Sequence, residues 1–350
     1  WDGPAAIAFT NGEMIGAVLD RNGLRPARYV ETHDGLVVMA SEVGVLPIPD
    51  DNIKRKWRLQ PGKIFLVDTK QGRVVDDDEI KRDMINRRPW KRWLDENMVR
   101  LGELTPRDEF IQEPDHDTLL HRQNAFGYTT EDINILLMPM IAQAKEGLGS
   151  MGTDTPLACL SDRPQLLYNY FKQLFAQVTN PPLDAIREEL VTSLITYVGR
   201  QGNLLEETPA HCKLVRLETP ILSNSDLERL RRIEHSEMKA ETVSMLFRAA
   251  DGEEGMKKAL DELRKESARA VRDGATILIL SDRGVDKDHA PIPSLLATGA
   301  VHHHLVREGT RTQCGLVIES GEAREAHHFS LLIGYGAEAI NPYLAFETLT

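Results

Sequence analysis

From residue 242 onward the chain alternates short apolar runs with longer amphipathic stretches, and no other feature narrows its fold as much. The runs lie at residues 242–247, 275–280, 315–319 and 338–340, and the helical patterns between them at about 256–272, 294–308 and 324–334. Strands separated by helices pair in parallel through right-handed crossovers, so a parallel sheet is predicted. The repeat of ~22 to 40 residues brackets the roughly 30 of a barrel unit, which predicts a partial β/α barrel, with an open doubly wound sheet as the alternative. Residues 1–76 read differently. Residues 5–9 and 14–19 flank Asn11-Gly12, the strongest short-range hairpin signal. Further strands are predicted at 27–32, 36–40 and 63–68, between His33-Asp34-Gly35, Pro61-Gly62 and Gly72, giving one antiparallel sheet of meander type. The predicted fold class is therefore α+β followed by α/β.

Between these parts, residues 77–125 are charge-dense, with Trp90, Trp93 and Leu94 interspersed, and read as a helical connector. Thr129 and Asp132 have capping-box spacing ahead of Ile133, Leu136, Leu137, Met140 and Ile141, which share one helix face. A short strand is predicted at 156–160, then a helix from Leu166 to Val178 that stops at Asn180-Pro181-Pro182. The domain boundaries are accordingly placed at 1–76, 77–125 and 126–350.

A length of 350 residues fits about two domains. With 54 acidic against 42 basic side chains the formal charge is -12, so a nucleic-acid partner would be repelled. No apolar run approaches the roughly 18 residues that span a bilayer, and no signal-peptide pattern opens the chain. The expected compartment is cytoplasmic, and Cys159, Cys212 and Cys314, odd in number and widely spaced, suit reduced thiols. A start at Trp1 and a stop within an opening helix read as those of a fragment.

Four motifs invite functional readings. Gly147 to Gly152, GLGSMG, matches G-x-G-x-x-G, but a helix enters it and Thr155-Pro156 opens a strand, the reverse of a dinucleotide turn. Lys172 and Gln173 also stand where a ribose-binding acid would be needed. A glycine turn lining a passage or docking a neighbour is the better reading. His302, His303 and His304 point about 100° apart on a helix, so with His327 and His328 they read as structural. Asp20 to Pro26, DRNGLRP, places Arg21 and Arg25 around a sharp turn and reads mainly as structural. Ser281-Asp282-Arg283 and Glu319-Ser320-Gly321-Glu322 fall at the strand ends where a barrel has its C-terminal face, with a site role and simple turn chemistry both open. Nowhere does a nucleophile stand beside a base.

Several long strings, taken together and in order, resemble the glutamate synthase large-subunit family: WDGPAAIAFTNGEMIGAVLDRNGLRPARY, GLVVMASEVGV, LQPGKIFLVDT, GSMGTDTPLACLSDRP, YFKQLFAQVTNPPLDAIREELV, GNLLEETP, VHHHLVREG and ESGEAREAHHFSLLIGYGAEAINPYLAFETL. The resemblance covers nearly the whole chain. It implies an enzyme that hydrolyses glutamine, passes the ammonia through a tunnel, and reduces its adduct with 2-oxoglutarate on FMN to give glutamate. It implies also a 3Fe–4S cluster, a flanking FMN-binding domain, and an electron-donating small subunit or ferredoxin, in the cytoplasm or a plastid stroma. Residues 1–76 would then be the C-terminal part of a type-2 amidotransferase sandwich of the N-terminal-nucleophile class. Residues 126–350 would be most of a central domain that is similar to the FMN barrel but takes no flavin.

The family's N-terminal cysteine nucleophile is not carried here, since no cysteine precedes Cys159, and Asn11-Gly12 reads as a hairpin turn rather than an oxyanion hole. No catalytic, cofactor-binding or metal-binding residue is therefore assigned, no bound cofactor is expected, and the segment alone is expected to be inert. Gly149, Ser150, Met151, Gly152, Thr153 and Thr155 are the candidates for an ammonia path, because glycines let backbones approach and small hydroxyls relay hydrogen bonds. A non-catalytic scaffold between domains, or a free-standing nucleotide-binding enzyme, are the alternative readings.

Overall fold

A computed structural model describes residues 3–144, 157–171, 192–235 and 237–350. The described chain forms two units, one of residues 3–92 with 192, the other of residues 93–171 and 193–350. The division falls between Arg92 and Trp93, within the 77–125 stretch, so the helix Asp77–Asn86 goes with the first unit.

In the first unit, β1 (Ala6–Thr10) and β2 (Met14–Leu19) form the predicted hairpin, with Ala8 opposite Ala17. Asn11 Oδ1 accepts from the backbone of Glu13 and Met14, and Gly12 takes φ +91°, the conformation that suits glycine. The remaining strands are β3 (Arg28–Thr32), β4 (Val37–Ala40), β5 (Ile53–Arg58), β6 (Phe65–Asp68) and β7 (Arg73–Val75). They correct the single-meander expectation, because two sheets form, in the orders β1-β2-β6-β7 and β4-β3-β5. The reason is burial. Ala17 and Phe65 from one sheet pack with Tyr29 and Met39 from the other, with Ala27 and Leu59 beside them, and the Tyr29 and Phe65 rings lie 4.3 Å apart. A single layer would leave these side chains in water.

The second unit holds β8 (Val99–Arg100), β9 (Thr196–Val198) and β10 (Val215–Leu217), a small sheet in which β10 is central. Its main sheet contains β11 (Ala240–Ser244), β13 (Ile277–Ser281), β15 (Gly315–Glu319) and β16 (Ala339–Asn341), all parallel and in sequence order. Helices Gly252–Arg272, Ser294–Arg307 and Ala326–Gly334 make the crossovers. β13 and β15 are buried throughout, as strands covered on both faces must be. A parallel bridge adds Ile221 beside Ile340 at the β16 edge.

Three local expectations are corrected. The strand predicted at 242–247 breaks at Met245, and β12 (Leu246–Arg248) leaves the main sheet to pair antiparallel with β14 (His289–Pro291). The strand predicted at 156–160 is, where described, a 3-10 turn, Ala158–Leu160, which buries Ala158 and leaves Leu160 in water. The helix predicted from Leu166 begins as the 3-10 turn Leu167–Tyr170, and its continuation past 171 lies outside the described residues. The Thr129–Asp132 box forms in both directions, at 2.9 and 3.1 Å. Its helix runs through a π-helical stretch, Asp132–Leu137, before Met138–Gln143. Pro139, which has no N–H to give Ile135 and crowds its carbonyl, accounts for the widened turn.

Candidate functional site

The register of the parallel sheet brings Ser244, Ser281, Glu319 and Asn341 into one row at the strand C-termini. The polar segments that follow β13 and β15 are buried, in contrast to ordinary connecting loops. Glu319, 1% exposed, accepts from Ser281 Oγ at 2.6 Å, from Arg231 Nη2 at 2.5 Å and from Arg283 Nε. Arg283 also reaches Glu347 at 3.3 Å and lies 4.1 Å over the Tyr343 ring. Glu347 pairs in turn with Arg122, and Arg231 with Glu228. The result is an alternating chain of charges, Arg122, Glu347, Arg283, Glu319, Arg231 and Glu228, laid across the C-terminal face. Each buried charge has an opposite neighbour, which offsets the several kcal/mol that desolvation of an isolated ion costs.

Asp282 stands apart from this chain. Its carboxylate accepts from Gly321 N at 2.9 Å and Ser320 Oγ at 2.9 Å, but complete burial outweighs those bonds and pushes its pKa up to about 7. Tyr128 donates to Gly321 O at 3.1 Å. Arg324 lies 4.2 Å over the Tyr128 ring and donates to the carbonyls of Phe126, Gly127 and Glu322 and to Asp132. It thereby ties the start of the 130s helix to the end of β15. Beside this lies a cleft of about 640 Å³, bordered by Phe126, Arg163, Leu167, Ile292, Glu322 and His328.

Of the residues singled out from sequence, Ser281, Asp282, Arg283, Glu319, Ser320, Gly321 and Glu322 are thus gathered on one face. Gly149, Ser150, Met151, Gly152, Thr153 and Thr155 lie outside the described residues, as does the whole GLGSMG string. DRNGLRP forms a turn held by Asp20. Asp20 accepts from the backbone of Leu24, Ala5, Arg25 and Asn22, and these bonds hold its pKa down to about 2. Among the histidines, His302 accepts from Arg311, while His328 stacks on Tyr168 with ring centroids 4.2 Å apart. No group of three metal-ligating side chains occurs among the described residues. Cys314 is buried, which raises its thiol to about 11 and makes it a poor nucleophile. Arg122, Arg231, Arg324 and Glu347 were not foreseen, since each comes from an element far along the chain from its partner.

The profile of the glutamate synthase central domain matches residues 121–350. The chain belongs to the glutamate synthase family. A second profile, of class-II glutamine amidotransferases, matches residues 1–93. The large chain of glutamate synthase [NADPH] of Bacillus subtilis is 49% identical over 348 residues, covering 99% of this chain and 22% of that protein. Glutamate synthase [NADH] of Schizosaccharomyces pombe is 45% identical, covering 100% of this chain and 17% of that protein. Ferredoxin-dependent glutamate synthase of Pyropia yezoensis is 43% identical, covering 99% and 22%. The chain thus spans about a fifth of the length of the curated relatives it matches. Along this chain the amidotransferase match precedes the central-domain match.

Proposed function

We propose that this chain is the part of a glutamate synthase in which the amidotransferase domain ends and the central domain follows. The polypeptide that contains it would make glutamate from glutamine and 2-oxoglutarate with electrons from a small subunit or ferredoxin. The observation that carries this is the collinear match, 49% identical over 99% of the chain, with both family profiles in order. The compartment would be the cytoplasm or a plastid stroma. Among the described residues no helix is long and apolar enough to cross a membrane.

The central domain is read as a partial β/α barrel, on the grounds that four parallel strands follow sequence order and helical crossovers return each to the next position. FMN and a 3Fe–4S cluster would serve the enzyme elsewhere in the polypeptide, because the residues present do not fit them. Glu319 and Arg283 at the strand ends are already paired, with Arg231, Glu347 and each other, and buried Cys314, exposed Cys159 and half-buried Cys212 form no cluster.

The segment's role would be to connect the glutaminase and synthase sites and to wall part of the ammonia path. Ammonia released into water becomes ammonium, which has no lone pair for attack on a keto acid, so its passage has to be enclosed. Gly149, Ser150, Met151, Gly152, Thr153 and Thr155 are the proposed lining. In the complete enzyme, Ser150→Phe is expected to lower glutamine-dependent synthesis while sparing synthesis from added ammonium salt. Equal loss of both would mean a folding defect, and no loss would remove these residues from the path.

A further inference from the structure

The cleft beside the charged face contains one buried group that the rest of the structure leaves half used. Glu322 is 6% exposed, and its Oε2 accepts from Ser294 N at 2.9 Å and Ser294 Oγ at 2.6 Å. This caps the 14-residue helix Ser294–Arg307, whose own N-cap, Pro293, has no side-chain bond to offer. Tyr168 completes the chain by donating to Ser294 Oγ at 2.5 Å. Oε1, by contrast, accepts no hydrogen bond among the described residues, and Glu322 makes no ion pair there. The helix end offsets about half a charge. The remainder is felt by its neighbours, since the Glu322 charge helps raise both Asp282 and Tyr168.

We infer that this cleft binds a small molecule through an ammonium group, which donates to Glu322 Oε1. A buried carboxylate with a free oxygen selects a partner that carries both positive charge and N–H donors. The apolar walls, Phe126, Leu166, Leu167 and Ile292, suit an alkyl body behind that group. The cleft volume of about 640 Å³ lies within the range of small-molecule sites. Arg324, the nearest buried cation in the wall, is committed to three carbonyls and Asp132, so it does not compete for Oε1. The inference concerns binding in the central unit and does not depend on the ammonia path proposed above.

The test is calorimetric titration of the 350-residue chain with butylammonium chloride, with tetramethylammonium chloride and potassium chloride at matched ionic strength as comparisons. Saturable one-to-one binding of butylammonium alone is expected, weakened at least about tenfold in Glu322→Gln, which keeps the acceptor for Ser294 and removes the charge. Asn124→Trp, at an exposed position in the cleft wall, is expected to weaken it as well and covers the case in which Glu322→Gln fails to fold. Absence of saturable binding, unchanged affinity in both variants, or equal binding of tetramethylammonium or potassium would each overturn the inference. None of these readouts involves glutamate synthesis.

Discussion

Asp282→Asn offers a measurement in which most other titrations cancel. Burial displaces this carboxyl from its ordinary 3.8 to about 7, so the folded chain holds a proton that the unfolded chain has already released. For a pKa raised on folding, the stabilisation is complete below the unfolded value and is lost as pH rises towards the folded one. At about 1.4 kcal/mol per tenfold change, the displacement corresponds to about 4 kcal/mol, lost between roughly pH 4 and pH 7 and constant above. Asparagine keeps the acceptor towards Gly321 and Ser320 but does not titrate. The stability of the variant minus that of wild type should therefore rise by about 4 kcal/mol between pH 4 and pH 8. Glu338, also raised to about 7 by burial, contributes to both proteins and drops out of the difference. Urea unfolding at half-unit pH intervals, followed by near-ultraviolet circular dichroism, supplies the comparison. A difference that does not change with pH would refute the claim that Asp282 is folded in its protonated form.

Two further substitutions examine the charged face. Arg283→Met leaves Glu319 short of one partner and Glu347 of another, so destabilisation of about 3–5 kcal/mol is expected in urea unfolding. Arg283→Lys should recover only part of it, because a point ammonium cannot span both carboxylates; full recovery would show that charge alone matters. Gly321→Ala places a methyl 2.5 Å from the buried Phe126 ring, and about 1–3 kcal/mol of overpacking should appear as a lower melting temperature. An unchanged melting temperature would mean that Phe126 moves aside freely.

What could be read from the sequence was local or periodic. Asn11-Gly12 between apolar runs, the Thr129–Asp132 box and the apolar strands of the parallel sheet each declare themselves within a few residues, and each forms. β5 did not, because IKRKWR has no apolar alternation and pairs as an exposed edge of its sheet. The division of the first unit into two sheets depends on Tyr29 meeting Phe65, a contact no window contains. The candidate face was half legible. Barrel logic pointed to Ser281–Arg283 and Glu319–Glu322, yet whether those groups wait for a ligand or satisfy one another is decided by Arg231, Arg122 and Glu347.

The alternating charges also set a schedule for synthesis. Arg122 and Glu347 are 225 residues apart, and Arg283 needs Glu347 too. At translation rates of about 5–20 residues per second, Arg122 waits on the order of 10–45 s for its partner to leave the ribosome. Until then Arg122 has no acid in this chain of charges and Arg283 has only Glu319, while Arg231 already has Glu228 and Glu319. The last two ion pairs of the charged face, Arg122 with Glu347 and Arg283 with Glu347, thus become available only when the end of this segment has been made.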